Sequence, residues 1–119
     1  RRFDHGARAI YLRVAQQAGD RSVQARADYG LARIATLNND AELSESLFKK
    51  SLELSPPPQE KAWALIYLGR LSDIAGETEQ AARYYQAALA VDGASPKARE
   101  TAEKGARGAF RRDRSHPNR

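Results

Sequence analysis

An internal repeat with a period of 37 residues constrains the fold of this chain more than any other feature. Three sets of positions share the offset: Ala7, Ser44 and Ala81; Tyr11, Phe48 and Tyr85; and Val14, Ser51 and Ala88. Leu31-Ala32 matches Leu68-Gly69 at the same spacing. A fixed period of this size indicates stacked supersecondary units, because one unit cannot bury its apolar face alone.

The repeated units are predicted to be helical. Alanine, leucine, glutamate, glutamine and arginine dominate, and they favour helices. Turn residues such as Asn38-Asn39-Asp40 and Gly76 divide the chain at short intervals, which predicts an all-α, antiparallel stack. Four residues are placed to cap a following helix: Asp20, Asp40, Thr78 and Ser95. Six helices are expected, at 4–18, 21–37, 40–54, 59–75, 78–91 and 96–111.

The repeat resembles the tetratricopeptide family, whose unit of about 34 residues carries W-x2-L-G-x2-Y, then A-x3-F, then P. Residues 62–93 match best, with Leu68-Gly69, the Gly76 turn and Ala81-x3-Tyr85. Residues 25–56 match more loosely, and residues 4–20 match a second half-unit. The resemblance implies a right-handed solenoid over 1–112, closed by a capping helix at 96–111. Residues 113–119 are expected to form a flexible basic tail.

Several positions depart from the family pattern. The period is three residues longer, which we assign to the region of Pro57 and Pro58. Asp28 lies at the position where the next unit has the apolar residue Leu65, and Gly93 stands where the family pattern has proline. Ser44 and Ser51 also replace small apolar residues. Phe48 and Tyr85 are still expected to fill the space between units, opposite small residues such as Ala32, Gly69, Ala81 and Ala88.

Arrangements of residues that commonly carry catalysis are nearly absent from the sequence. There is no cysteine, and the two histidines, His5 and His116, lie near opposite ends without metal-ligand spacing. No phosphate-binding glycine motif is present. We therefore predict that the chain is not an enzyme and needs no metal or cofactor.

Arginines recur at the repeat spacing, as Arg33, Arg70 and Arg107, each one residue after the small residue of its L-G-like pair. The resemblance implies that this side of the first helix lines a concave groove that binds partner peptides. Six residues are the candidate binding set: Arg33, Arg70, Arg107, Tyr29, Trp63 and Tyr67. Arginine and aromatic residues are typical interface anchors. A solvated arginine face with partly buried aromatic rings is the alternative interpretation.

The predicted function is a protein-interaction module, part of a larger protein or assembly, with an acidic peptide as a possible partner. Residues 1–96 carry 12 Lys and Arg against 12 Asp and Glu, whereas 97–119 carry 8 against 3. The basic C-terminal region therefore offers an alternative, binding of nucleic acid or an anionic surface, which we consider less favoured. No apolar run is long enough to span a membrane.

Helix 1 is the remaining candidate surface. It resembles the second half of a unit whose first half is missing, so its stripe of Ile10, Tyr11 and Val14 is expected to be partly exposed. Such exposure would favour self-association. The last helix, which is rich in small and charged residues, is expected to have no exposed apolar side chains.

Overall fold

The computed structural model describes residues 2–17 and 20–115, and the regular secondary structure of these residues is all α-helix, joined by short turns and loops. The predicted all-α fold is therefore confirmed. The helices are α1 (Arg2–Gln17), α2 (Arg21–Leu37), α3 (Ala41–Glu53), α4 (Pro58–Ile74), α5 (Thr78–Leu89) and α6 (Pro96–Ser115). Helix α6 continues past the predicted end at 111 and into the segment predicted as a flexible tail; residues 116–119 lie outside the described residues.

Side-chain caps begin three of the helices as predicted. Asp20, Asp40 and Ser95 each accept a hydrogen bond from a backbone N–H in the following helix, at 2.7, 3.2 and 3.1 Å. The predicted cap at Thr78 is wrong. Thr78 is the first residue of α5 and is buried, and the cap position belongs to Glu77, whose side chain makes no capping bond. The predicted start of this helix at 78 is confirmed, and only the capping role of Thr78 is wrong.

The turns after α2 and α4 are equivalent. Asn39 and Gly76, which are 37 residues apart, both have a left-handed backbone, with φ of 60° and 80°. Asparagine and glycine tolerate this conformation better than other residues, and it ends a helix sharply. A left-handed residue at the equivalent position therefore precedes the second helix of each unit, α3 and α5.

Each helix packs mainly against its neighbours in sequence, and α4 also contacts α2 and α6. Because the connections are short, consecutive helices run antiparallel and form a stack of about 48 × 31 × 21 Å. The handedness of any superhelix stays a prediction. Within residues 2–17 and 20–115, no helix is long and apolar enough to cross a membrane.

The interior between the units is filled by the two repeated aromatic residues, as expected. Phe48 is fully buried and packs with Ala32, Ala64 and Leu68. Tyr85 is buried against both α4 and α6. A Cβ added at Gly69 or Gly105 would lie only 2.7 or 2.5 Å from the Tyr85 ring, so the ring requires glycine on both helices. The glycine at 105 therefore has a packing role.

Tyr85 also fastens the end of α6. Its hydroxyl donates a hydrogen bond of 2.8 Å to Oδ2 of Asp73, and Arg112 of α6 pairs with Oδ1 of the same carboxylate. Burial and the hydrogen bond to Asp73 both raise the pKa of the Tyr85 phenol. The phenol therefore stays protonated and donates throughout the physiological pH range.

We expect Tyr85→Phe to lower the free energy of unfolding by about 1 kcal/mol, because Oδ2 of Asp73 loses its phenol donor while the ring contacts remain. Urea denaturation would measure the change. The half-exposed ion pair of Arg112 should contribute less, so Arg112→Ala is the matched comparison. A larger loss in Arg112→Ala than in Tyr85→Phe would contradict this assignment.

The polar residues at small apolar positions are hydrogen-bonded in the core. Ser51 Oγ donates to the carbonyl of Ala25 at 2.6 Å, and Ser44 Oγ lies 2.6 Å from Oγ1 of Thr36. Both serines are fully buried. Their hydroxyls therefore join α3 to α2 by polar contacts, without unsatisfied groups.

Apolar side chains are exposed at both ends of the stack. On α1, Ile10 is 59% exposed, as expected, while Tyr11 packs beside Gly30 of α2. The side chain of Val14 lies outside the described residues. The expectation that the last helix lacks apolar exposure is wrong, because Phe110 of α6 is 60% exposed. The helices that pack against α6 cover most of its alanines but leave the ring of Phe110 at the surface.

Candidate functional site

An open groove lies between α2 and α4 and has a volume of about 440 Å³. It contains four of the six predicted binding residues. The lining residues are Tyr29, Arg33, Gln59, Glu60, Trp63 and Tyr67. Within the part of the chain that the structure describes, none of them comes from α3 or α5. The groove is therefore formed by the first helices of two successive units.

Helical spacing explains why these side chains share one surface. Tyr29 and Arg33 are four residues apart on α2, and Trp63 and Tyr67 are four apart on α4. The opposite side of α2 carries buried apolar residues, including Leu31 and Ala35. The hydrophobic packing of each helix therefore sets its rotation and directs the candidate residues into the groove.

The floor of the groove is a continuous set of aromatic rings. The centroid of Tyr67 lies 6.5 Å from that of Tyr29 and 6.4 Å from that of Trp63. Behind them, the buried ring of Phe48 stacks on Tyr67 at 4.9 Å and meets Tyr29 edge-on at 5.8 Å. The two tyrosines are held from below by a core residue, which fixes their positions before any ligand binds.

Two arginines lie over these rings. The guanidinium carbon of Arg33 is 6.0 Å from the Tyr29 centroid, and that of Arg70 is 5.6 Å from the Tyr67 centroid. Both arginines are exposed. Contact with a ring occupies the face of the guanidinium group and leaves its N–H donors at the edge, where a carboxylate can bind through paired hydrogen bonds.

The phenol of Tyr29 is neutral at physiological pH. Burial is the main cause that raises its pKa to about 12, the nearby Tyr67 adds to the increase, and Arg33 opposes it. Tyr29 therefore offers a hydroxyl donor beside the Arg33 cation. Together they form a site that favours oxygen acceptors.

Arg107 is exposed on α6 but does not line the groove. Helix α6 nevertheless keeps the rotation of its equivalents. Positions 28, 65 and 102 are all buried, and so are positions 35, 72 and 109. Arg107 thus occupies on α6 the position that Arg33 and Arg70 occupy on α2 and α4. Arg70 also lies outside the lining and joins the site through its contact with Tyr67.

Sequence reasoning missed two lining residues, Gln59 and Glu60. Glu60 is paired with Arg26 of α2 at 3.6 Å. The amide of Gln59 accepts from the backbone N–H of Ser95 and donates to its hydroxyl, both at 3.3 Å. Glu60 shares a helical stripe with Trp63 and Tyr67, at i, i+3 and i+7, so this spacing could have identified it.

Comparison of the chain with protein families, with curated proteins and with solved structures finds no match. Among the side chains that the structure describes, at 6–13 and 20–112, no group of three or more His, Cys, Asp or Glu residues is arranged to hold a metal ion.

Proposed function

We propose that this chain is a protein-interaction module of the tetratricopeptide type, which binds an extended peptide segment of a partner in the groove between α2 and α4. The observation that carries the proposal is the pairing of two exposed arginines with a preformed aromatic floor. Aromatic rings supply contact area at low entropic cost, and guanidinium groups supply directed hydrogen bonds. This combination is typical of binding hot spots.

The chemistry of the groove favours a peptide that carries carboxylates. Arg33 and Arg70 are equivalent residues of successive units, so they present two donors along one direction. Glu60 is the acidic residue among the lining residues, and Arg26 pairs with it. This pairing reduces the repulsion that Glu60 would otherwise exert on an acidic ligand.

The basic C-terminal region is the weaker candidate. Several of its cations are already engaged within the protein. Arg112 pairs with Asp73, Lys104 lies 3.7 Å from Glu100, and Arg99 donates to carbonyls at the end of α5. These contacts reduce the charge available to a polyanion, so the groove is the better-supported binding surface.

Tryptophan fluorescence can test the proposal directly. Trp63 is the single tryptophan of the chain and lines the groove. We expect acidic peptides with several glutamates to change its emission in a saturable way, and basic peptides of equal length to have no effect. Equal responses to both peptide classes would overturn the preference for carboxylates.

Arg33→Ala and Arg70→Ala should each weaken binding of such an acidic peptide by about 5- to 30-fold, since each removes a charge-assisted contact of roughly 1–2 kcal/mol. Their melting temperatures should be unchanged, because both side chains are exposed. Arg83→Ala is the matched control, because Arg83 is an exposed arginine of α5 that pairs with Glu79. If the Arg33→Ala, Arg70→Ala double variant binds the acidic peptide as well as the wild type does, the two arginines are solvated residues that do not contact the ligand.

A further inference from the structure

A second concavity lies among α1, α2 and α3, on the other side of α2 from the groove. Its volume is about 150 Å³. Its lining combines leucine, isoleucine and alanine side chains with the polar residues Arg8, Asn38 and Asp40. Leu31 and Ile34 are buried, whereas Leu12 and Leu43 are exposed. The proposed function does not involve this cavity.

The internal repeat provides a direct comparison for this cavity. One unit further along, the position of Leu47 is occupied by Tyr84, that of Leu12 by Lys49, and that of Asp40 by Glu77. Tyr84 is partly buried and packs against both core clusters of the protein. Lys49, the equivalent of the cavity residue Leu12, interacts electrostatically with Tyr84 and with Glu77. At the equivalent position of the next unit, the chain's own phenol ring packs against apolar residues of the core.

Replacement of tyrosine by the shorter leucine explains why the first unit has a cavity. Leu47 is partly buried and packs with the cluster around Phe48, but its side chain has no ring to extend between α1 and α2. An apolar cavity of about 150 Å³ is large enough to hold a benzene ring. The volume of this cavity therefore matches that of an aromatic ring such as the one that Tyr84 supplies in the next unit.

We infer that this cavity binds a tyrosine side chain presented by a partner protein. The ring would pack against the apolar lining residues Leu31, Ile34 and Leu47. The polar lining residues Arg8, Asn38 and Asp40 provide both donors and acceptors, which suits a hydroxyl group that can give and accept a hydrogen bond. The bound tyrosine would take the place that Tyr84 takes in the next unit.

An uncharged peptide separates this site from the arginine groove. We would titrate acetyl-Gly-Gly-Tyr-Gly-Gly-amide into isotopically labelled protein and follow backbone amide shifts by NMR. The expected result is saturable shifts centred on Leu31, Ala35 and Leu47. Because the peptide has no carboxylate, the Arg33→Ala, Arg70→Ala double variant should bind it unchanged, even if the proposed groove function fails.

Two substitutions each place the residue of one unit at the equivalent position of the other unit. Leu47→Tyr should fill the cavity and weaken peptide binding at least tenfold, with an unchanged or higher melting temperature. Tyr84→Leu should open an equivalent cavity and add a second set of shifts around Leu68 and Leu71. If Leu47→Tyr does not fold, Leu47→Phe fills the same space without a hydroxyl and carries the same expectation.

Three results would overturn the inference. The first is the absence of saturable shifts up to the solubility limit of the peptide. The second is equal binding of the corresponding peptide with leucine in place of tyrosine, because the site would then not select an aromatic ring. The third is undiminished binding by a folded Leu47→Tyr or Leu47→Phe variant.

Discussion

Phe48→Ala is expected to lower the free energy of unfolding by about 3–5 kcal/mol, which is the usual cost of removing a buried phenylalanine ring. Phe48 is 0% exposed and lies between the two units, where it contacts the rings of Tyr29 and Tyr67. Its removal would leave a cavity that two helices of different units must close. Chemical denaturation followed by circular dichroism would measure the loss.

The same substitution should also disturb the groove, because Phe48 supports Tyr67 from below. Peptide binding should therefore weaken under conditions where the variant is still folded. Phe110→Ala is the matched control, since Phe110 is 60% exposed and its removal should cost much less. Similar losses in the two variants would contradict a core role for Phe48.

Asp28→Leu is expected to raise the free energy of unfolding by about 2 kcal/mol, through burial of an apolar side chain in place of a carboxylate. Asp28 is 3% exposed, and the equivalent residue of the next unit is Leu65, which is also buried. The replacement therefore restores the residue type that the repeat itself uses there. For a chain of this length the gain corresponds to roughly 8 °C in melting temperature.

The pH dependence of this gain identifies its cause. Burial raises the pKa of Asp28 above 3.8, and the nearby Lys50 opposes the increase. The folded state thus binds the proton more tightly than the unfolded state, so wild-type stability falls as pH rises from about 3.8 through the raised pKa. The advantage of Asp28→Leu should therefore be larger at pH 7 than at pH 3. An equal advantage at both values would show that packing, and not the charge, accounts for it.

The sequence by itself determined the helices, their order and the repeated positions that are buried. These features depend on local periodicity and on turn residues within a few positions of each helix end, as at Asn39 and Gly76. The 37-residue offset added information about tertiary structure, because it identifies equivalent residues in successive units. It identified Phe48 and Tyr85 as the aromatic residues between units. The resemblance to the tetratricopeptide family, and not the offset, led to the expectation that Tyr29, Trp63 and Tyr67 lie near Arg33 on the same or an adjoining stripe, and these four residues line one groove.

The tertiary structure decided the features that depend on distances between side chains of different helices. The bond from Tyr85 to Asp73 and the ion pair of Arg112 with the same carboxylate join positions up to 39 residues apart. The cavity lined by Leu47 depends on how the side chains of α1, α2 and α3 fill the space between these helices. Neither feature follows from helical periodicity, because periodicity gives the direction of a side chain but not the space around it.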